Sequence, residues 1–293
     1  MKKLTVGGQA VIEGVMMRSP KYYAVAVQKK NRKIVTKTTR FNSIQQKHWF
    51  FRLPIIRGII VLFETLVIGM KILFYSSQQA GDEKEEKLSW KELAFTFGIS
   101  IVLVLALFKF LPLFLAYFFQ KKLGLGNVYF NLIDGGFKLL IFLIYILLIS
   151  SMKEVRRLFQ YHGAEHMAVS CYEGGETLTV QNVRKYSTLQ PRCGTSFIFS
   201  VILISIIVYI FIPFQYSLWQ KYLLRILLLP VIAGLSYELI RLAGKFPKNP
   251  VLYALISPGL LIQKLTTKKP DIGQIKTAVA ALSAVLKKEK ASF

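Results

Sequence analysis

His162, Glu165 and His166 spell H-x-x-E-H, in a chain that has only three histidines. On a helix, residues four apart share a face, so both imidazoles can reach one cation while the carboxylate stands beside them. This is the inverted zincin order, in which the glutamate acts as general base towards a metal-activated water. A pair of imidazoles cannot hold zinc alone, and the candidates for a further ligand are Glu238 in SYELIR, Glu13, Glu173 and Cys193. Glu238 follows His166 by 72 residues, an interval similar to that of the inverted zincins, but two apolar segments lie between them, so the protease fold does not follow. Cys193 stands in PRCGTS just before an apolar segment. A helix starting there, together with Arg192, would stabilise its thiolate, as a metal ligand or as a nucleophile paired with His162. Each of these residues also has a plain structural reading. The histidines can be hydrogen-bonded core residues, Glu238 can pair with Arg241 at i,i+3, and Cys193 can be a small turn residue beside a Thr195 or Ser196 cap.

The helix that must carry the two histidines continues from an apolar segment through KEVRRLFQ, with Val155, Leu158, Phe159, His162, His166 and Val169 on one stripe. At about 1.5 Å per residue, His162 lies about 16 Å beyond Ser151, within reach of lipid headgroups. Gly163 costs that helix up to about 1 kcal/mol. Cys171, beside the stripe, reads as packing, and His48 in KHWFFRLP as an interfacial residue.

Four stretches, residues 93–119, 130–152, 196–214 and 218–243, are apolar over close to the ~20 residues a bilayer core requires. Residues 53–75 are apolar too, but carry Arg57, Glu64 and Lys71 on one helical face, and read as a re-entrant or interfacial helix bearing a charge ladder. Basic residues set the topology. Residues 1–52 hold twelve Lys/Arg against one acid and residues 241–293 hold ten against two, which places both termini in the cytoplasm of a multi-pass inner-membrane protein. If residues 53–75 crossed, these two basic segments would lie on opposite sides. The DEKEEK run within residues 77–92 reads as a solvated turn.

The expected organisation is therefore mainly α: about four transmembrane helices, one re-entrant or interfacial helix, and a small α+β cytoplasmic domain built from three chain segments. Residues 1–52 supply a Gly-rich loop (GGQAVIEGVMMRSP, presenting Glu13) and a hairpin from YYAVAVQ and KIVTKTT, with ETLTVQNV as a candidate third strand. Residues 53–76 form the interfacial helix, 93–152 and 196–243 the paired spans, 153–195 the H-x-x-E-H and PRCGT segment, and 244–293 an amphipathic tail. In that tail Ile272, Ile275, Val279, Leu282 and Leu286 make an apolar stripe. The cytoplasmic pieces total roughly 145 residues, enough for one small domain.

A chain of 293 residues with 53% hydrophobic residues and mean hydropathy +0.44 is too apolar for an ordinary soluble domain. The formal charge of +24 sits in flanks that face anionic lipid, and no nucleic-acid motif accompanies it. MKKLTVGGQA lacks the apolar core of a signal peptide. Two cysteines 22 residues apart make no disulfide framework and fit a reducing compartment.

GGQAVIEGVMMR, HGAEH, PRCGTSF, SYELIR and PGLLIQKLTT occur in this order over essentially the whole chain. Together they resemble the YqhQ family of bacterial membrane proteins. That resemblance implies a metal-dependent enzyme and directs attention to Glu13, His162, Glu165, His166, Arg192, Cys193, Glu238 and Arg241. The chain departs from the family pattern at Gln190, where members often have His, and at Lys269 and Lys276, in a tail that is more acidic in relatives. The expected function is a hydrolase-like membrane enzyme holding a divalent metal, zinc first and manganese or iron as alternatives. His162 and His166 would bind the metal with Glu238 or Glu13, Glu165 would activate water, and Cys193 with Arg192 would ligate or stabilise negative charge. Expected partners are membrane lipids, a lipid or membrane-peptide substrate, and a second copy or another membrane protein. The alternatives are a non-enzymatic scaffold with a structural metal, a cysteine-nucleophile hydrolase, and a transporter.

Overall fold

The computed structural model describes residues 4–81, 90–246 and 248–291, without the side chains of 90–94. The acidic run Asp82–Lys87 lies outside the described residues.

The N-terminal segment folds into an antiparallel sheet in the order β1 (Gly7–Val11), β2 (Gly14–Arg18), β3 (Tyr22–Gln28) and β4 (Ile34–Arg40). The expected YYAVAVQ–KIVTKTT hairpin is β3–β4, with Val27 opposite Val35. GGQAV and GVMMR, expected to be a Gly-rich loop, instead form a second hairpin, in which Glu13 occupies the turn with φ 52°. The apolar pattern explains why β2 and β3 read as hydrophobic at nearly every position. Val15, Met17, Ala24 and Ala26 face one way and Met16, Val25 and Val27 the other, and both sets are buried. β4 is the outer edge, guarded by Lys37 and threonines.

One face of the sheet packs on α5 (Lys153–Gly174) and α11 (Ile272–Lys290). Ile275, Ala278, Leu282, Val285 and Leu286 of α11 are buried there, so the amphipathic stripe docks on the sheet, while its expected first member Ile272 stays exposed. The other face receives Ile68 and Ile72 of α1 (Ile56–Ala80). ETLTVQNV supplies no third strand. Thr179 accepts from the Asn182 amide and caps a single turn, α6 (Val180–Val183), so a β-branched run is used as a helix cap.

The rest is helical. A helix over Trp90–Leu105 (α2) passes through a π turn at Ala106–Phe110 into α3 (Leu111–Leu123), followed by α4 (Asn127–Ser150). After α6 come α7 (Gly194–Ile210), α8 (Leu218–Leu227), α9 (Leu229–Lys245) and α10 (Pro250–Thr266). Among the described residues, three helices are long and apolar enough to cross a membrane: Ile56–Ala80, Phe95–Leu123 and Asn127–Ser150. They become four if α8 and α9, bent by 49°, make one broken span. Thus the segment set aside as interfacial meets the length and apolarity of a span, whereas α7 is shorter, at 17 residues. The α1 charges do not form a ladder. Glu64 is held by Arg18, Ser43 and the Ile44 amide, and Arg57 by Glu238, all on other segments.

Inside the helical bundle, Asp134 on α4 accepts from Lys138 at 2.5 Å and faces Arg225 of α8 at 2.8 Å. Arg225 also donates to Asn131, and its guanidinium stacks over Tyr209 and Phe130. Removing one member of such a buried group strands the others. Asp134→Ala should therefore lower stability by about 3–5 kcal/mol, read from chemical unfolding in detergent. An unchanged unfolding midpoint would contradict this arrangement.

Candidate functional site

The helix α5 forms because its residues are covered on nearly every side. From Phe159 to Cys171 it lies among the sheet, α11 and two loops, and buries Tyr161, Ala164, His166, Met167 and Ala168. His162 and His166 fall one turn apart with ring centroids 4.3 Å from each other. The Nδ1 of His162 lies 2.9 Å from the Thr266 carbonyl, and the Nδ1 of His166 lies 2.6 Å from the Thr188 carbonyl. Since a carbonyl can only accept, each Nδ1 carries a proton, and in the neutral ring Nε2 is the nitrogen with the lone pair. Both imidazoles are thus in the tautomer that presents Nε2 as a ligand, with a backbone acceptor behind it.

Cys193 closes the group. It is the N-cap of α7, its sulfur accepts from the Thr195 amide at 3.4 Å, and it lies 3.2 Å from His162 Nε2. One donor atom each from His162, His166 and Cys193 lie within 4.8 Å of one another. The turn that presents it is clamped by Gln263 of α10, which is fully buried. Its Oε1 accepts from the Gln190 amide (2.9 Å), and its Nε2 donates to the Gln190 carbonyl (2.8 Å) and to Ser196 Oγ (2.7 Å).

The group opens into a cleft of ≈ 820 Å³ between α1, α5, β1 and the start of α7. Leu62, Leu66, Met70 and Leu73 of α1 and Phe197 and Ile198 of α7 give it an apolar wall. Glu165 lines the same cleft, 6% exposed, and receives no hydrogen bond among the described residues. Burial pushes its carboxyl up to about 7, with His162 pulling the other way. Its side chain lies against the backbone of Gly8, where a Cβ would come within 2.8 Å of Glu165 Cγ and Cδ. The Gly-rich segment thus comes close to Glu165 at Gly8.

The other expected ligands are placed elsewhere. Glu238 on α9 is gripped by both Nε and Nη2 of Arg57, with Arg241 at 3.7 Å, and is outside both the cleft lining and the His/Cys group. Glu13 is gripped by Arg157 and receives the Tyr161 hydroxyl at 3.3 Å, on a separate cavity. Glu173 pairs with Arg192, which lines the cleft beside Cys193. Gln190 also lines the cleft. Sequence reasoning missed Thr188, Thr266 and Gln263. The last two lie in PGLLIQKLTT, a motif singled out without a role.

Comparison with known proteins follows the motifs. The profile of a family described as "Protein of unknown function (DUF1385)" matches residues 53–288. The chain is 34% identical over 304 residues to the uncharacterized protein YqhQ of Bacillus subtilis (strain 168), an alignment covering 98% of this chain and 93% of that protein. No solved structure matches it.

Gly163 yields a test of the site's construction. A Cβ there would run into the Lys268 carbonyl and come within 3.2 Å of Thr188 Cγ2. Both of its neighbours belong to segments that hold the histidines. In an exposed helix, Gly→Ala would stabilise by up to about 1 kcal/mol. Here Gly163→Ala should instead destabilise by about 1–3 kcal/mol, measured by thermal unfolding. A gain in stability would show that the approach is not required.

Proposed function

This chain belongs to the YqhQ family, whose profile is described only as of unknown function, and from that premise we propose that it is a metal-dependent, hydrolase-like membrane enzyme. The observation that carries the reading is the convergence of one donor atom each from His162, His166 and Cys193 within 4.8 Å, with both Nδ1 atoms against backbone carbonyls. Two imidazoles and a thiolate suit zinc best, then iron, while manganese prefers oxygen donors. Three protein donors facing a cleft leave room for a further ligand, the pattern of catalytic rather than structural zinc. A divalent ion held there would supply Lewis acidity and lower the pKa of water.

The chain's own residues do the rest. Glu165, between the two histidines and without a hydrogen-bond partner among the described residues, takes a proton from water and passes it to the leaving group. Arg192, held by Glu173 at the cleft wall, stabilises negative charge that develops near Cys193. The apolar wall from α1 and α7 suits a substrate with a hydrocarbon portion, a lipid or a membrane peptide, its polar group at the His/Cys end. On this reading the site lies at the cytoplasmic face of the cell membrane, where the basic flanks would meet anionic lipid.

A second reading rests on the 3.2 Å contact between Cys193 Sγ and His162 Nε2. With Nδ1 bound to Thr266, His162 is oriented as the base of a cysteine nucleophile.

Metal content of detergent-purified protein separates the two. The metalloenzyme reading expects about one equivalent of zinc or iron, lost in His162→Ala, His166→Ala and Cys193→Ser and kept in Glu165→Gln. In screens of ester, amide and phosphoester lipids, Glu165→Gln should lose about 100-fold or more in hydrolysis. Protein that stays metal-free after zinc or iron reconstitution, with Cys193 alkylating about tenfold faster than Cys171, establishes the cysteine reading instead. Full phenotypic rescue by Glu165→Gln would point to a scaffold with a structural metal.

A further inference from the structure

On the other side of α5 lies a second cavity, of ≈ 1140 Å³, that the proposed chemistry does not use. Six cationic side chains line it: Lys29, Lys30, Arg32, Arg157, Arg184 and Lys269. They arrive from separate parts of the chain. Lys29, Lys30 and Arg32 come from the β3–β4 turn, Arg157 from α5, Arg184 from the end of α6, and Lys269 from the link between α10 and α11. Cations that serve only the positive-inside bias would spread along the membrane-facing edge. These converge on one concavity.

Two carboxylates share the cavity, and both are engaged. Glu13 is gripped by Arg157. Asp271 is the N-cap of α11, where its Oδ1 accepts from the Gln274 amide at 2.8 Å in a capping box. Arg157 is thereby neutralised, but Lys29, Arg32, Arg184 and Lys269 make no side-chain ion pair or hydrogen bond among the described residues. Like charges brought together in this way repel, at a cost that an anionic occupant would remove. The N-terminal turn of the 19-residue α11 opens into the same space through Ile272 and Gly273, adding amides that favour an anion. The space is larger than a single phosphate needs.

We propose that this cavity binds a ligand carrying a phosphate or diphosphate group, held by Arg32, Arg184 and Lys269 and by the first turn of α11. Lysine and arginine approaching from several sides, with helix amides behind them, is the chemistry of phosphate recognition. The group has two sources, a soluble phosphate ester or the headgroup of an anionic lipid. The end of α1, through Ser77, Ala80 and Gly81, forms one wall and would let a headgroup enter. The site is independent of the His/Cys group, so its test does not depend on metal.

The experiment uses the full chain in phosphatidylcholine nanodiscs and inorganic pyrophosphate as probe, followed by calorimetry. Pyrophosphate should bind more tightly than about 1 mM. Arg32→Gln, Arg184→Gln and Lys269→Gln should each weaken it by about tenfold, with thermal stability in phosphatidylcholine kept or raised, since each removes one of the mutually repelling charges. Lys47→Gln and Lys71→Gln, exposed positions away from the cavity, should leave binding as in the wild type. A second arm replaces a third of the lipid with phosphatidylglycerol. A thermal shift there, lost in the three cavity variants and accompanied by no pyrophosphate binding, assigns the site to a headgroup. Binding of neither probe overturns the proposal. So does weakening by the control substitutions equal to that by the cavity ones, which would reveal only a diffuse basic surface.

Discussion

Two backbone carbonyls, of Thr188 and Thr266, decide what the paired histidines can do. Each accepts from an imidazole Nδ1 and so leaves Nε2 as the nitrogen available to a ligand, on two residues that line the cleft. Neither carbonyl would be in place without Gln263, which ties the turn before α7 to α10, or without Gly163, whose missing side chain lets the Lys268 and Thr188 segments lie against α5. The sheet and α11 complete the arrangement by packing behind α5 through Val15, Ala24, Leu282 and Val285. Three distant stretches of chain are therefore fixed to one helix by contacts that leave little rotamer freedom, the condition under which a small donor set holds its geometry.

The second constraint is electrostatic. Outside the cleft, acids are taken up by arginines: Glu13 by Arg157, Glu64 by Arg18, Glu173 by Arg192 and Glu238 by Arg57. Glu165 stands apart, buried without an arginine or lysine partner among the described residues and touching Gly8. A carboxylate so placed is costly to a fold that needs only stability, and it is the feature that most separates this site from a set of packed core histidines. The same economy operates in the bundle, where Asp134 is fully buried against Lys138 and Arg225.

Much of the site was legible in the sequence. H-x-x-E-H at helical spacing put two imidazoles and a carboxylate on one helix, and PRCGTS before an apolar run put Cys193 at a helix start, although the cap expected at Thr195 or Ser196 is Cys193 itself. The choice among Glu13, Glu173, Glu238 and Cys193 was not legible, because Arg157 and Arg57 lie 144 and 181 residues from the acids they grip. Only the fold brings them together. The β3–β4 hairpin followed from its β-branched and aromatic runs, whereas the glycines of GGQAVIEGVMMR disguised two strands as a loop. ETLTVQNV erred in the opposite direction, since Thr179 was needed as a cap. The charges on α1 were read along their own helix, but Glu64 and Arg57 answer to partners on the N-terminal segment and α9. In each miss, local propensity was overruled by a contact distant in sequence.

X-ray absorption at the zinc K-edge of the zinc-loaded protein tests the central claim most directly. The account predicts a first shell of two nitrogen scatterers at about 2.0–2.1 Å and one sulfur at about 2.3 Å, plus one further light atom. Cys193→Ser should remove the sulfur. A shell without sulfur, or one unchanged by Cys193→Ser and His166→Ala, would contradict it and leave His162, His166 and Cys193 as a packed polar cluster.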